Sequence, residues 1–126
     1  MKQIEINQVS TKEDKIILHT SQPLLKEEAS TLKAAGRMLA DSDQLSFIYL
    51  LEDDERYRHV SIPEFLWTEL YSELKEKESV YIELLPDEEL HCTSFKDEFH
   101  YLLENIQDNS NYGDKMVEAV GRIITK

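Results

Sequence analysis

Apolar and polar residues alternate from the start of the chain. Between Lys2 and Val9, Ile4 and Ile6 are set against Glu5 and Asn7, the period of two expected of a strand with one wet face. The polar break Thr11-Lys12-Glu13-Asp14 separates this run from a second, Lys15 to His19, and the two are expected to pair as a hairpin. Pro23 fits a first helical turn, and Leu25, Ala29, Leu32, Gly36 and Leu39 then recur at three and four residues, which predicts an amphipathic helix ending near Asp41. From Leu45 to Leu51 apolar side chains fall on both faces, the pattern of a strand with a neighbour on each side. Tyr57 to Ile62 follows as its hairpin partner across the acidic turn Glu52-Asp53-Asp54-Glu55.

Ser61 and Glu64 have capping-box spacing, with Pro63 between them, ahead of a helix whose stripe is Leu66, Trp67, Leu70 and Leu74 and which closes on Lys75 and Lys77. Val80 to Leu85 reads as a strand stopped by Pro86, and Glu89 to Thr93 as a short edge strand. Ser94 is placed to cap the next helix, where Phe95, Phe99, Leu102, Leu103 and Ile106 gather on one side. A last helix carries Val117, Val120 and Ile124 as its buried stripe. The elements sum to an α+β fold, with a mainly antiparallel sheet of about five strands and helices packed on one face.

Composition narrows the setting. A chain of 126 residues suits one domain spanning residues 1–126. With 26 acidic residues against 14 Lys and Arg, the formal charge is −12, which repels a phosphate backbone and an anionic lipid surface. Direct nucleic-acid and membrane binding are therefore disfavoured, and a protein with a basic surface is the partner this charge suits; a homo-oligomer is compatible with it. The longest apolar run, Phe47 to Leu51, is far shorter than the roughly 20 residues that span a bilayer, and no leader-like stretch follows Met1. Cys92 is the only cysteine, as expected of a soluble protein in the reducing cytoplasm.

Chemical motifs are scarce. Only Gly36, Gly113 and Gly121 are glycine, so no dinucleotide fingerprint, phosphate loop or nucleophile elbow can be written. His19, His59, His91 and His100 lack metalloprotease spacing, and one cysteine cannot build a multi-cysteine zinc site, so no cofactor or metal is expected. Asp97, His100 and Glu104 fall on one side of their helix, opposite the apolar stripe, as a solvated polar face does. His91 and Cys92 are neighbours on a strand and should point to opposite faces. Asp41-Ser42-Asp43 reads as a helix stop with Asx-type bonds, and Asn111-Tyr112-Gly113-Asp114 as a turn in which Gly113 takes positive φ and Asp114 caps the last helix.

Gly36-Arg37-Met38-Leu39-Ala40-Asp41-Ser42-Asp43, Trp67, Leu103-Glu104-Asn105-Ile106 and Asn111-Tyr112-Gly113 together are similar to segments of a family of small uncharacterised proteins from low-GC Gram-positive bacteria. The resemblance runs through most of the chain. It implies a bacterial cytoplasmic setting and carries no activity, cofactor or functional residue with it.

The functional expectation is a non-catalytic protein-interaction module with an acidic surface, presented by Glu52, Asp53, Asp54 and Glu55 at a hairpin tip, together with Asp87, Glu88 and Glu89 if the fold brings them near. The alternative is a small ligand-binding domain or an enzyme whose site is assembled from distant residues, which spacing alone cannot reveal. A third reading, a mimic of nucleic-acid charge, needs carboxylates in phosphate-like rows.

Overall fold

A computed structural model describes residues 3–124, so the expected strand start at Lys2 lies outside the described residues. The chain runs β1 (Ile4–Lys12), β2 (Lys15–Thr20), α1 (Lys26–Thr31), β3 (Lys33–Asp41), β4 (Ser46–Glu52), β5 (Tyr57–Pro63), a 3-10 turn, α2 (Trp67–Leu74), β6 (Ser79–Leu85), β7 (Glu88–His91), α3 (Phe95–Ile106), a second 3-10 turn and α4 (Asp114–Ile124). The strands form one sheet in the order β3-β4-β5-β1-β2-β6-β7. The α+β class stands, but the sheet has seven strands where the pattern predicts about five, and it is mixed: β1 pairs in parallel with β5, and β2 with β6. No helix of the described residues is long and apolar enough to cross a membrane.

The largest correction is at 33–41. The helix expected to reach Asp41 stops at Thr31, with Leu32 already extended at φ −87° and ψ 140°. The chain then enters β3, antiparallel to β4. Its register jumps between the pairs Ala34–Leu51 and Met38–Tyr49, so the intervening segment bulges, with Gly36 at φ +70°. A bulged strand loses its period of two. Leu32, Gly36 and Leu39 then satisfy a helical spacing by accident.

The inner face of the sheet holds one core. Phe47, Tyr49 and Leu51 of β4 are fully buried there, against Trp67, Leu70 and Leu74 of α2 and Phe95, Phe99, Leu103 and Ile106 of α3. Trp67 lies 4.3 Å from the Phe47 ring, and its Nε1–H donates to the Ile62 carbonyl at 2.9 Å. β4 has a neighbour on each side, and Ile48 and Leu50 are also buried, on the opposite face. α3 buries the five residues expected of it. In α4 the stripe is rotated: Met116, Ala119, Val120 and Ile123 are buried, while Val117 and Ile124 are only half-buried.

Two expected caps differ. Ser61 is a buried residue of β5, and the chain turns through Glu64–Leu66 before α2, so Ser61 and Glu64 make no capping box. Ser94 does stand at the start of α3, but at φ +62° and with no side-chain cap bond.

The first strand of the sheet order, β3, meets the connection between β7, the last, and α3. The Tyr49 hydroxyl donates to the Thr93 carbonyl at 2.6 Å, and the Met38 N–H on the free edge of β3 donates to Glu98 Oε1 of α3 at 2.9 Å. A Cβ built on Gly36 would lie 3.3 Å from Thr93 Oγ1, so a larger residue would meet both positive-φ strain and a crowded neighbour. The sheet is thus curled, and α3 spans the gap between its edges.

Burial pushes the Tyr49 hydroxyl from its ordinary 10.0 up to about 12, an effect only partly offset by hydrogen bonding at Thr93 and Gly36. Burial also raises the Cys92 thiol well above its ordinary value. Both groups are neutral in the fold, so their contribution is complete below the unfolded values and is lost as pH rises. For Tyr49 the window is pH 10 to 12, and a shift of about two units corresponds to roughly 2–3 kcal/mol. Thermal melts between pH 9 and 12 should show a falling Tm, with a shallower fall above pH 10 in Tyr49→Phe; an equal slope in both would show that Tyr49 is not the titrating group. Truncating Trp67 to alanine should cost about 3–5 kcal/mol by denaturant unfolding, and a loss below about 1 kcal/mol would contradict its place in the core.

Candidate functional site

Strand directions decide which loops share an end of the sheet. β5 and β1 run in one sense, β2 and β6 in the other, and β4 and β7 are each antiparallel to a hairpin partner. The β4–β5 turn, the β6–β7 turn and the β2–β3 connection carrying α1 therefore lie at one end, while the β1–β2 turn with Glu13 and Asp14 lies at the other. Glu52, Asp53, Asp54 and Glu55 are thus on the same end as Asp87 and Glu88, about 19 Å away along the four strand spacings between the two tips.

The four acids of the tip are not equivalent. Asp53 Oδ1 accepts the Glu55 and Arg56 amides at 2.8 and 3.0 Å, an Asx-type turn that holds its carboxyl below the ordinary range. Glu52 ends β4 opposite Lys33 on one side and Tyr57 on the other. Asp54 and Glu55 are exposed, as are Asp87, Glu88 and Glu27. Of the nearby cations, Arg58 pairs with Glu28 of α1 at 3.3 Å.

The other sequence candidates disperse into structural roles. Asp97 and Glu104 are exposed, whereas His100 is half-buried, its ring 6.1 Å from Tyr71 rather than on an open polar face. Cys92 is buried in the core and His91 is exposed, on opposite sides as strand geometry requires. Asp41 Oδ1 accepts the Gln44 amide at 3.2 Å, an Asx-type bond that serves the β3–β4 turn and not a helix stop. Gly113 has φ +87°, and Tyr112 packs on the core. Among the described residues no group of three or more His, Cys, Asp or Glu is placed to hold a metal ion.

One cluster is not legible in the sequence. On the outer face of β1-β2-β6-β7, Ser10, Lys15, Ile17, His19, Tyr81, Glu83 and Glu89 line an open concavity of about 610 Å³. β1 gains one residue between the pairs Ile6–Thr20 and Gln8–His19, and this bulge reverses which residues face inward. Ile4 and Ile6 point to the core, then Val9, so Ser10 joins Lys12 on the outer face. An unbroken period of two would have turned Ser10 inward.

The same bulge brings Ser10 Oγ to 2.6 Å from His19 Nε2. Parallel pairing sets His19 beside Glu83, with Nδ1 3.5 Å from Oε1. Beside them Tyr81 stacks on His91 at 4.8 Å, and Lys15 Nζ sits 4.6 Å above the Tyr81 ring and 3.8 Å from Glu89.

Comparison with known proteins gives kinship without chemistry. The chain is 40% identical over 120 residues to a UPF0738 protein of Bacillus licheniformis, covering 95% of each. It is 37% identical over 117 residues to one from Staphylococcus saprophyticus, covering 93% of this chain and 92% of the relative. A third, from Halalkalibacterium halodurans, is 35% identical over 105 residues, 83% of each. No solved structure matches it. The model of a family of unknown function, UPF0738, matches residues 4–124, and the chain belongs to that family.

Proposed function

We propose that this protein is an interaction module of the bacterial cytoplasm, which docks a partner protein with a basic surface against the acidic end of its sheet. The single observation that supports this reading is topological. Two acid-tipped hairpins and the acidic first turn of α1 share one end, so exposed Asp54, Glu55, Asp87, Glu88 and Glu27 act together on an approaching cationic surface. Glu52 and Asp53 contribute charge, but Asp53 is also tied into its own turn.

The test therefore leaves Asp53 in place. Asp54→Lys with Glu55→Lys should leave Tm nearly unchanged, since exposed charge substitutions are usually worth within about 0.5 kcal/mol. Capture of cytosolic partners on the immobilised protein should fall for this variant. It should also fall for the wild type as salt rises from about 50 to about 300 mM, where exposed charges become screened over about 10 Å or less. Reversing Glu13 and Asp14 at the opposite end makes the same change in net charge and should leave capture intact. Equal losses from reversal at either end would show that net charge alone governs binding, and the docking end would be refuted.

A further inference from the structure

The contacts around His19 have a direction. A proton on Nδ1, the ring nitrogen 3.5 Å from the Glu83 carboxylate, leaves the Nε2 lone pair to accept the Ser10 O–H. That is the polarity of a hydroxyl–imidazole–carboxylate relay, in which a histidine takes the proton of a serine as it attacks. The three side chains come from three strands, β1, β2 and β6, and all belong to the wall of the same open concavity. A serine that merely tied two strands together would need no carboxylate behind the histidine.

We propose that Ser10 is a nucleophile for acyl transfer from small, activated carboxylic esters, with His19 as its general base and Glu83 as the positioning residue that fixes the imidazole. Ser10 Oγ forms a bond to the acyl carbon as its proton passes to His19 Nε2. The carbonyl π pair moves to oxygen and returns as the ester C–O bond breaks, and the departing alkoxide takes the proton from His19. Water then attacks the acyl-serine, His19 accepts its proton, the Oγ–acyl bond breaks and Ser10 recovers its hydrogen. The products are an alcohol and a carboxylic acid.

The surroundings select the substrate class. β2 lies between β1 and β6, so its backbone amides are committed to its neighbours and offer no free pair to the acyl oxygen. The cations lining the concavity are the ammonium groups of Lys12 and Lys15, the second held near Tyr81 and Glu89. A preorganised oxyanion donor is worth about 10²–10³ in rate, so a site that relies on a flexible lysine suits esters with good leaving groups and not amides. The stacked Tyr81–His91 pair offers a flat wall to an aromatic leaving group.

The intact protein should be treated with a fluorophosphonate probe and with p-nitrophenyl acetate, and the adduct located by peptide mass spectrometry. The expected result is a single adduct on Ser10, absent in Ser10→Ala. His19→Gln should slow its formation about 100-fold with an unchanged melt, in line with the usual worth of a general base. Glu83→Gln should lower the rate at saturating probe without changing the concentration that gives half the maximal rate. No adduct on Ser10, an adduct confined to Lys15, or a Ser10 adduct whose rate ignores His19 would each overturn the proposal. These readouts involve no partner protein, so they stand or fall apart from the docking end.

Discussion

The contact across the open side of the sheet is the constraint on which the architecture depends. Tyr49 reaches from β4 to the Thr93 carbonyl, and Glu98 of α3 receives the Met38 N–H on the edge of β3. A seven-stranded sheet left flat would expose an unpaired edge on β3 and could not enclose its helices on one side. Curling solves both problems, because α3 supplies the missing acceptor and its aromatic residues fill the inner face. Gly36 is what allows the approach, through a bulge whose positive φ and lack of a side chain keep β3 clear of Thr93. Each such bond is worth only about 1 kcal/mol net, but an unpaired buried partner costs about 1–3 kcal/mol, so the closure is held more firmly than its bonds suggest.

A curled sheet has two unlike faces, and the division of labour comes from that difference. The inner face is committed to packing Phe47, Trp67, Phe95 and Phe99, whose rings meet at centroid distances of 4.3 to 6.1 Å. The outer face of β1-β2-β6-β7 is free to carry Ser10, His19, Glu83 and Lys15 on rigid strands, where side-chain spacing is set by register and not by loop conformation. The turns, in contrast, gather the acids at one end. The polar cluster on the sheet face and the acids at the sheet end are thus carried by different parts of one scaffold, strands and turns.

Much of the fold is legible in the sequence because local pattern and local pairing agree. The β1–β2 and β4–β5 hairpins and the stripe of α3 depend on neighbours along the chain, and periodicity marks each of them. Illegibility begins where a bulge breaks the period. In β3 the small residues Ala34, Ala35 and Gly36 give no alternation, and the flanking Leu32 and Leu39 mimic a helix. In β1 a single extra residue turns Ser10 outward, so its partnership with His19 and Glu83 cannot be seen without the register. Parallel pairing of β2 with β6 joins strands separated by about half of the chain, and nothing local encodes it. The acidic tip is evident from the residues alone, yet the role of Asp53 in its own turn needs the backbone geometry.

The closure can be measured at one atom. The Met38 amide lies on a sheet edge, where an unpartnered N–H would exchange with solvent rapidly, but here it donates to Glu98. Native-state hydrogen exchange followed by NMR should find this amide protected in the wild type. It should exchange much faster in Glu98→Ala, while the amides of the β4–β5 ladder keep their protection. A Met38 amide that exchanges in the wild type as fast as an open strand edge would contradict the closed, curled sheet.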